Sequence, residues 1–448
     1  MTQLPTSGSI LNLYEDEPLN AGPATAQLAD GARVDICVIG AGFTGLGAAL
    51  TLAEGGADVL VVEAGRIGSG ASGVNGGQIH PGQRRDQQWL EAKVGDDEAM
   101  RLWQFAEEAR LWLHDRITRH GIACDLEPGL LSLAHRRDIM EGMKADALHM
   151  ANRYGVAGLE VLTTTDLPRY TGAQGYFGGI FDPHGGHLDP LALTRGFAAA
   201  ASNAGARIAE NTTVRRVTRD GAGWRLDTNR GTVTARVVVA TGDGSLGNLL
   251  PEVAGHVVPI VNFMVATEPL GNRAAAVLTE RYAASDSKFV VNYFKRTADD
   301  RLVFGGGESY GNAVPSNIRA RVQPRMLKVF PGLADVPLTH AWGGRLGITA
   351  TRLPFVRKFG PDLRPMPDQR RGANGGTGPE LYVASGFSGQ GVMIGPYTGV
   401  AIAEAIGGRS DRFELMARLP IPRFPGGPLL RRAMVIAAMV GAGLVDRL

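Results

Sequence analysis

This sequence has few cysteines and no large excess of charge of one sign. Its first thirty residues also lack the pattern of a signal peptide. Its 448 residues contain two cysteines, Cys37 and Cys124, which are too few for a disulfide framework. The 46 basic residues nearly balance the 44 acidic ones, so charge favours neither a nucleic acid nor a polyanionic surface as partner. Glu15, Asp16 and Glu17 interrupt the region where a signal peptide needs a basic start and an apolar core. We expect a folded cytoplasmic protein that binds no nucleic acid.

A hydrophobic run long enough to span a bilayer is also lacking. Residues 433–445 are apolar and follow Arg431 and Arg432, but these 13 residues fall short of the roughly 20 that a transmembrane helix needs. We therefore expect no transmembrane span. The C-terminal tail is expected to form a packed helix or at most to make interfacial contact with a membrane.

Glycine is abundant, and its spacing near the N-terminus predicts a dinucleotide site. The chain has 62 glycines in 448 residues, about 14%, against a usual value of roughly 7%. Gly40, Gly42 and Gly45 spell GxGxxG between an apolar strand at 34–39 and a helix at 46–53, and Glu63 closes a second strand. The glycines let the turn approach a diphosphate at the helix N-terminus, while Glu63 accepts hydrogen bonds from the ribose hydroxyls. A glycine turn that only packs is the alternative.

A second glycine-rich loop follows Glu63, as it would for a cofactor larger than NAD. It runs from Arg66 through the sequence GASGVNGGQ, and further motifs occur as GGHLDPLAL at 185–193, ATEPL at 266–270 and GFSGQGV at 386–392. In these motifs the chain resembles the FAD-dependent amine and amino-acid oxidoreductases of the D-amino-acid oxidase type. Within that family the motifs are most similar to those of the γ-glutamylputrescine oxidoreductases.

The resemblance implies noncovalent FAD and a set of residues that contact it. Val74 stands where related enzymes with covalent flavin carry a histidine. The helix after GFSGQGV would place its N-terminus near the flavin, where it stabilises negative charge formed on reduction. The implied FAD-contacting residues are Gly40, Gly42, Gly45, Glu63, Arg66, Ala71, Ser72, Asn75, Gly76, Gly77, Gln78, Val214, Gly242, Gly386, Ser388, Gly389, Gln390, Gly391 and Val392.

The fold expected is α/β, with a Rossmann-type FAD-binding domain and a second α+β substrate domain, or cap, split in sequence. The FAD-binding domain is assigned to residues 31–121, 183–250 and 341–412, and the substrate domain to 122–182 and 251–340. Residues 1–30 form an N-terminal arm, and residues 413–448 form the C-terminal tail. An antiparallel insert is expected between 213 and 240, because turn signals at Asp220-Gly221 and at 229–231 separate its strands.

The candidate residues of the substrate pocket lie on a strand predicted at 288–296 and at positions where the sequence departs from the family pattern. Side chains alternate along a strand, so either Tyr293 with Lys295 or Phe294 with Arg296 could line the cavity. Arg345 falls one position before the family's carboxylate-binding arginine, which is Leu346 here, and Gln390 replaces a histidine. The HxxH pair His184 and His187 lies in a glycine-rich loop, and we expect no metal there.

The function expected is FAD-dependent oxidation of the C–N bond of an amine, which is either a polyamine derivative or a secondary amine. Hydride passes to the flavin and water hydrolyses the imine, so no general base is assigned. The alternatives are an amino-acid or cyclic imino-acid oxidase or dehydrogenase, and an electron-relay flavoprotein without an amine substrate. The acceptor is oxygen or a quinone-like compound. Val303 stands at the position of an oxygen-activating lysine, which predicts weak oxygen reactivity unless Lys288, Lys295 or Arg345 supplies the charge.

Overall fold

The computed structural model describes residues 12–16, 18–309, 314–366 and 379–425. The expectation for 433–445 lies outside these residues. The helices are Leu13–Asp16 (α1), Phe43–Glu54 (α2), Ala71–Val74 (α3), Gln87–Val94 (α4), Asp96–Arg119 (α5), Arg137–Tyr154 (α6), Pro190–Asn203 (α7), Pro251–Ala254 (α8), Ile318–Val329 (α9), Gly391–Ile406 (α10) and Asp411–Ala417 (α11). Among the described residues, no helix is both long enough and apolar enough to cross a membrane.

The strands belong to two sheets. They are Ala32–Ile39 (β1), Val59–Val62 (β2), Gln78–Ile79 (β3), Glu127–Leu133 (β4), Glu160–Thr163 (β5), Gly178–His187 (β6), Arg207–Ala209 (β7), Val214–Asp220 (β8), Gly223–Thr228 (β9), Gly231–Ala240 (β10), Val258–Thr267 (β11), Ala283–Asp286 (β12), Tyr293–Arg296 (β13), Leu302–Ser309 (β14), Leu338–Ile348 (β15), Phe355–Phe359 (β16) and Glu380–Ser385 (β17).

The first sheet has the order β16-β17-β10-β1-β2-β7 and a parallel centre. Strand β1 pairs in parallel with both β2 and β10, and β10 pairs in parallel with β17. Helix α2 connects β1 to β2, and the β8–β9 hairpin joins the sheet through β10. The apolar runs fill one core with α2, α5, α7 and α10, because parallel strands are covered on both faces. This arrangement confirms the predicted βαβ unit and the α/β class.

The second sheet is mainly antiparallel, with the order β15-β11-β14-β13-β12-β4-β6-β3 and β5 paired with β6. Helix α9 packs on β11 and β14 over a separate apolar core that includes Phe263, Phe304 and Met326. The predicted boundaries after residues 182 and 340 fall inside β6 and β15. Residues 183–187 and 341–348 therefore extend the second sheet, although the sequence interpretation assigned them to the FAD-binding domain. Both strands run through the predicted boundaries without a break.

The strand expected at 288–296 is shorter than its sequence suggests. Residues 287–290 form bends and residues 291–292 have no regular structure, because Oδ1 of Asp286 accepts hydrogen bonds from the amides of Lys288 at 3.3 Å and Asn292 at 2.9 Å. Only β13 remains extended. The buried Asp286 side chain thus outweighs the β propensity of the two valines at 290 and 291.

Candidate active site

The first glycine turn has the geometry of a diphosphate cradle. A Cβ atom on Gly45 would lie 2.0 Å from the carbonyl oxygen of Gly40, so only glycine lets α2 approach the end of β1 this closely. No side chain caps α2 at Gly42. The amide of Phe43 donates to Oγ of Ser72 at 2.9 Å, which brings the second glycine loop to the same helix N-terminus. The free amides and the helix dipole there favour an anionic group.

Glu63 lies beside this turn as predicted, but its carboxylate also has a structural role. The amide of Ala41 donates to Oε2 and the amide of Gly65 donates to Oε1, each at 2.8 Å. The amide of Thr212 donates to the carbonyl oxygen of Glu63 at 2.7 Å, which brings the start of β8, with Val214, to this end of the site. A carboxylate held this way remains an acceptor for ribose hydroxyls, since each oxygen has more than one lone-pair site.

The second glycine loop connects the two sheets. Its Asn75 side chain donates to the carbonyl oxygens of Ala71 and Ser72, both at 2.9 Å, and accepts from the amide of Gly77 at 2.7 Å. The Gln78 amide then donates to the carbonyl oxygen of Ala284 at 2.8 Å in the second sheet. These bonds orient the loop between the first-sheet helices and the strands of the second sheet.

The GFSGQGV loop is held by Asp243, next to the predicted contact Gly242. The two carboxylate oxygens of Asp243 accept from the amides of Gly386 at 2.7 Å and Gly347 at 2.6 Å. Ser388 takes a left-handed conformation with a φ of 55°. Helix α10 follows without a side-chain cap at Gln390. A second helix N-terminus is therefore open to a ligand.

One cavity of about 960 Å³ joins these elements. The helix-terminus residues Gly42 and Gly391 lie on its wall, and Asn262 and Tyr293 contribute the side of the second sheet. The two uncapped helix ends and the glycine loop between them fit an extended, doubly anionic cofactor such as FAD. Of the predicted FAD-contacting residues, those on the wall are Gly42, Ala71, Ser72, Asn75, Gly76, Gln78, Ser388, Gly389, Gln390, Gly391 and Val392.

The other predicted FAD-contacting residues are not on the cavity wall. Gly40, Gly45 and Glu63 shape the first turn, and Gly386 bonds Asp243 at the C-terminal loop. The remaining members of this group are Arg66, Gly77, Val214 and Gly242. Their contacts with FAD stay a prediction.

The predicted substrate residues separate by the face of β13 on which they lie. Tyr293 lines the cavity, and its hydroxyl donates to Oδ1 of Asn262. Phe294 points into the apolar core of the second sheet, and Arg296 donates to the carbonyl oxygen of Leu278 at 2.8 Å. Neither of these two reaches the cavity wall. The Tyr293 face is therefore the one that borders the site.

Lys295 shares the Tyr293 face but is buried behind the glycine loop, off the cavity wall. Its Nζ donates to the carbonyl oxygen of Leu188 at 2.6 Å and lies 5.0 Å from the ring centroid of Tyr14 in the N-terminal arm. Burial lowers the pKa of Lys295 to about 8, against the opposing attraction of Asp189 and Asp125. The neighbouring strand carries Val303, buried in an apolar cluster.

Arg345 and Gln390 have different positions from those expected for direct substrate contact. The cavity wall includes Gly344 and Leu346 but not Arg345 between them, because side-chain direction reverses at each residue of β15. Gln390 lies on the wall, and its side-chain amide donates to the carbonyl oxygens of His80 at 3.1 Å and Gly82 at 3.2 Å. Gln390 therefore fixes the chain that follows the glycine loop.

The wall residues that the sequence interpretation missed include His80, Arg84, Arg352 and Asn262. Nε2 of His80 lies 3.0 Å from Oε1 of Gln78. Burial, together with repulsion from Arg84, lowers the pKa of His80 to about 4, so this imidazole is neutral near pH 7. The adjacent arginines that follow the glycine loop were the available signal for Arg84. Nothing local marked Asn262 or Arg352.

The HxxH segment forms part of β6 rather than a ligand set. His187 is fully buried, and its Nε2 hydrogen-bonds the carbonyl oxygen of Arg281 at 2.9 Å, while His184 bonds the carbonyl oxygen of Ala157 at 2.9 Å. No cluster of three potential metal-ligating side chains occurs among the described residues.

Comparison with known proteins decides the family. A family model described as "DAO: FAD dependent oxidoreductase" matches residues 35–405. The chain belongs to this family. It is an FAD-dependent oxidoreductase, and the cradle formed by the glycine turns and the two helix termini stays the predicted cofactor site. The predicted family, enzyme class and cofactor are thereby confirmed.

Relatives of this family enzyme cover nearly its whole length. A probable oxidoreductase, OrdL, from Rhizobium meliloti (strain 1021) is 36% identical over 93% of this chain and 92% of its own. The γ-glutamylputrescine oxidoreductase of Escherichia coli (strain K12) is 35% identical over 92% of this chain and 93% of its own. Glycine oxidase from Geobacillus kaustophilus has the same fold, with a TM-score of 0.68 at 22% identity, covering 84% of this chain and 95% of that protein.

Proposed function

We propose that this flavoenzyme oxidises the C–N bond of an amine, and specifically of a polyamine derivative or secondary amine. The observation that carries the proposal is the single cavity that the cofactor loops share with the second sheet. Its wall carries seven carboxylates and three arginines, so its field favours ligands with ammonium groups. A similar substrate is named for the γ-glutamylputrescine oxidoreductase relative.

The chain's own groups would orient the amine. FAD, when bound, supplies the hydride acceptor for the carbon next to nitrogen. Asn262 is fixed because its Nδ2 donates to the carbonyl oxygen of Gly307 at 3.2 Å while its Oδ1 accepts from Tyr293. Burial raises the pKa of Tyr293, so the phenol stays neutral and its oxygen can accept a hydrogen bond from an amine N–H.

His80 contributes a neutral imidazole to the cavity wall, next to the second glycine loop. The Gln78 side-chain nitrogen donates to two backbone carbonyls, those of Ala284 and Phe294, so Oε1 of Gln78 must be the acceptor toward His80. The proton of the imidazole is therefore on Nε2, and Nδ1 keeps its lone pair. A neutral imidazole adds no positive charge that would repel the substrate amine.

Anaerobic reduction of the bound flavin tests the proposal. FAD-loaded protein is mixed without oxygen with polyamines, γ-glutamyl amines, N-methyl amino acids and cyclic imino acids, and bleaching of the flavin absorption is followed. We expect bleaching by polyamines or γ-glutamyl amines, or by the secondary amines of the N-methyl amino acids. Bleaching by cyclic imino acids alone would favour the amino-acid oxidase alternative, and no bleaching by any amine would favour the electron-relay alternative.

Two finer parts of the proposal concern the acceptor and the compartment. We propose that a quinone-like acceptor reoxidises the flavin faster than oxygen does, because Val303 places no cation at the position of the oxygen-activating lysine. We also keep the sequence-based expectation of a cytoplasmic location, which cell fractionation tests.

A further inference from the structure

The N-terminal arm connects the first sheet to the second behind the second glycine loop. The amide of Ala26 donates to the carbonyl oxygen of Ile208 on β7, at the edge of the first sheet, at 2.8 Å. Closer to the N-terminus, the carbonyl oxygen of Asn20 accepts from Arg195 of α7 at 3.3 Å. The arm then reaches the second sheet as α1. Neither the proposed amine chemistry nor the predicted FAD contacts use this segment.

Helix α1 is anchored on the second sheet by an ion pair and by apolar packing. Oδ2 of Asp16 lies 2.8 Å from Nε2 of His340 on β15. Leu13 and Tyr14 are both buried, in an apolar cluster that also contains side chains of α7, β11, β14 and β15. Burial of this apolar surface stabilises the arm on the sheet.

The ring of Tyr14 contacts two buried side chains of the second sheet. It packs edge-on against Trp342 of β15, with 5.6 Å between the ring centroids. Nζ of Lys295 lies 5.0 Å from the centroid of the Tyr14 ring, where the ring attracts the ammonium group. The buried Tyr14 hydroxyl has no hydrogen-bond partner among the described residues. The ring, and not the hydroxyl, therefore makes the contacts of this residue.

Trp342 and Lys295 hold the two ends of the segment 74–77 in the second glycine loop. Nε1 of Trp342 donates to the carbonyl oxygen of Val74 at 3.0 Å. Nζ of Lys295 donates to the carbonyl oxygen of Leu188 at 2.6 Å, and the amide of Leu188 in turn donates to the carbonyl oxygen of Gly77 at 2.9 Å. Tyr14 thus packs against both side chains that fix this part of the loop.

The backbone of the loop lies directly on the second sheet. A Cβ atom on Gly77 would lie 1.9 Å from the carbonyl oxygen of Leu188 and 3.2 Å from Nζ of Lys295. A Cβ atom on Gly76 would lie 2.8 Å from Cε2 of Tyr293. Because the contact is this close, a shift of the Lys295 side chain would displace the loop.

We infer that the N-terminal arm is a positioning element of the cofactor site, in which Tyr14 keeps Trp342 and Lys295 in place and so fixes the second glycine loop for FAD. Tyr14 acts through these two side chains and is a positioning residue. The inference rests on the predicted course of FAD along this loop and not on the proposed amine oxidation. Binding to a loop that is already ordered costs less conformational entropy, so loss of the Tyr14 ring should weaken FAD binding.

Substitutions of Tyr14 test this role through FAD binding, measured by fluorescence quenching at pH 7. Burial lowers the pKa of Lys295 to about 8, so the ammonium group is charged at that pH. Tyr14→Ala should raise the FAD dissociation constant about 10-fold, the size expected for loss of a desolvated cation–π contact. Tyr14→Phe should leave the dissociation constant unchanged, because it keeps both ring contacts and removes only the hydroxyl.

Amide hydrogen exchange in the full-length, FAD-free protein gives a second readout that needs neither cofactor nor catalysis. In Tyr14→Ala, exchange should become faster at the amides of Gly77 and Leu188, while the strands of the first sheet keep their protection. Unchanged exchange at these two amides, or a uniform increase along the whole chain, would overturn the inference.

The matched control is Phe413→Ala on α11. Its ring is similarly buried and packs edge-on against Tyr382 at 5.2 Å, in the core of the first sheet and off the cavity wall. This change should lower the unfolding temperature but leave the FAD affinity of the folded protein unchanged. An equal loss of FAD affinity in Phe413→Ala and Tyr14→Ala would indicate a general loss of packing and would contradict the assigned role.

Three further outcomes decide the matter. Tyr14→Ala that binds FAD as tightly as the unmodified protein does, or Tyr14→Phe that loses as much affinity as Tyr14→Ala, would disprove the role of the ring. If Tyr14→Ala does not fold, Tyr14→Leu replaces it, since leucine keeps apolar volume without a ring face, and an unchanged dissociation constant there would be equally decisive. None of these measurements uses an amine, so failure of the proposed function would leave their outcome unaffected.

Discussion

Replacing Glu63 with glutamine should weaken FAD binding and the first turn together. The carboxylate accepts two backbone N–H bonds of 2.8 Å, from Ala41 and Gly65, and is expected to accept the ribose hydroxyls of FAD as well. The variant amide keeps one oxygen but turns an NH₂ group toward the other donor, so one of these two bonds is lost.

The size of the effect follows from hydrogen bonds to a charged group. Each such bond contributes about 1.5–3 kcal/mol, and Glu63 is only partly buried, so we expect about 1.5 kcal/mol less stability in the FAD-free protein. Loss of the charged ribose acceptor should raise the FAD dissociation constant by about 10- to 100-fold.

The assay measures thermal unfolding of the FAD-free protein and FAD binding by fluorescence quenching. The matched control is Glu98→Gln at the exposed start of α5, where the carboxylate pairs with Arg101 at 3.1 Å. That change should alter stability by less than about 1 kcal/mol and leave FAD binding unchanged. Unchanged FAD affinity in Glu63→Gln would refute the assignment of Glu63 to the ribose, even if the turn were destabilised.

Further changes test other parts of the site. Gly45→Ala should abolish FAD retention, because the new Cβ atom would lie 2.0 Å from a backbone oxygen. The control is Gly332→Ala, whose Cβ atom would meet no other atom within 4 Å, and this variant should bind FAD normally. Absorption spectra of the purified variants measure the bound FAD. Burial lowers the pKa of Lys295 from 10.5 to about 8, so the unfolded chain binds the proton more tightly than the folded protein does. The free energy of unfolding should therefore rise by roughly 3 kcal/mol between pH 8 and pH 10.5, relative to the Lys295→Met variant. Denaturant unfolding at several pH values measures this difference. Stopped-flow mixing of amine-reduced enzyme should show slower reoxidation by oxygen than by a quinone, and comparable rates would contradict the reasoning from Val303. Acid or heat denaturation should release FAD from the polypeptide, and flavin that stays attached would disprove noncovalent binding.

The cofactor half of the site was predictable because its signals are local. The turn at Gly40, Gly42 and Gly45 lies between a strand and a helix that adjoin it in sequence, and Glu63 ends the next strand. The short distance between such residues along the chain fixes their distance in space. Family motifs then extended the prediction to loops as far away as Gly386, since the family keeps their order.

The substrate half required the tertiary structure, because alternation along a strand defines two faces without saying which one borders the cavity. Tyr293 and Phe294 were equivalent candidates in sequence, and only the packing of β13 against Gly76 on one side and the α9 core on the other distinguished them. The cavity wall also brings together Arg84 and Arg352, which are more than 260 residues apart in the sequence. The sequence by itself determined the cofactor-binding fold through local backbone chemistry. The three-dimensional arrangement of distant segments decided which charges meet in one cavity.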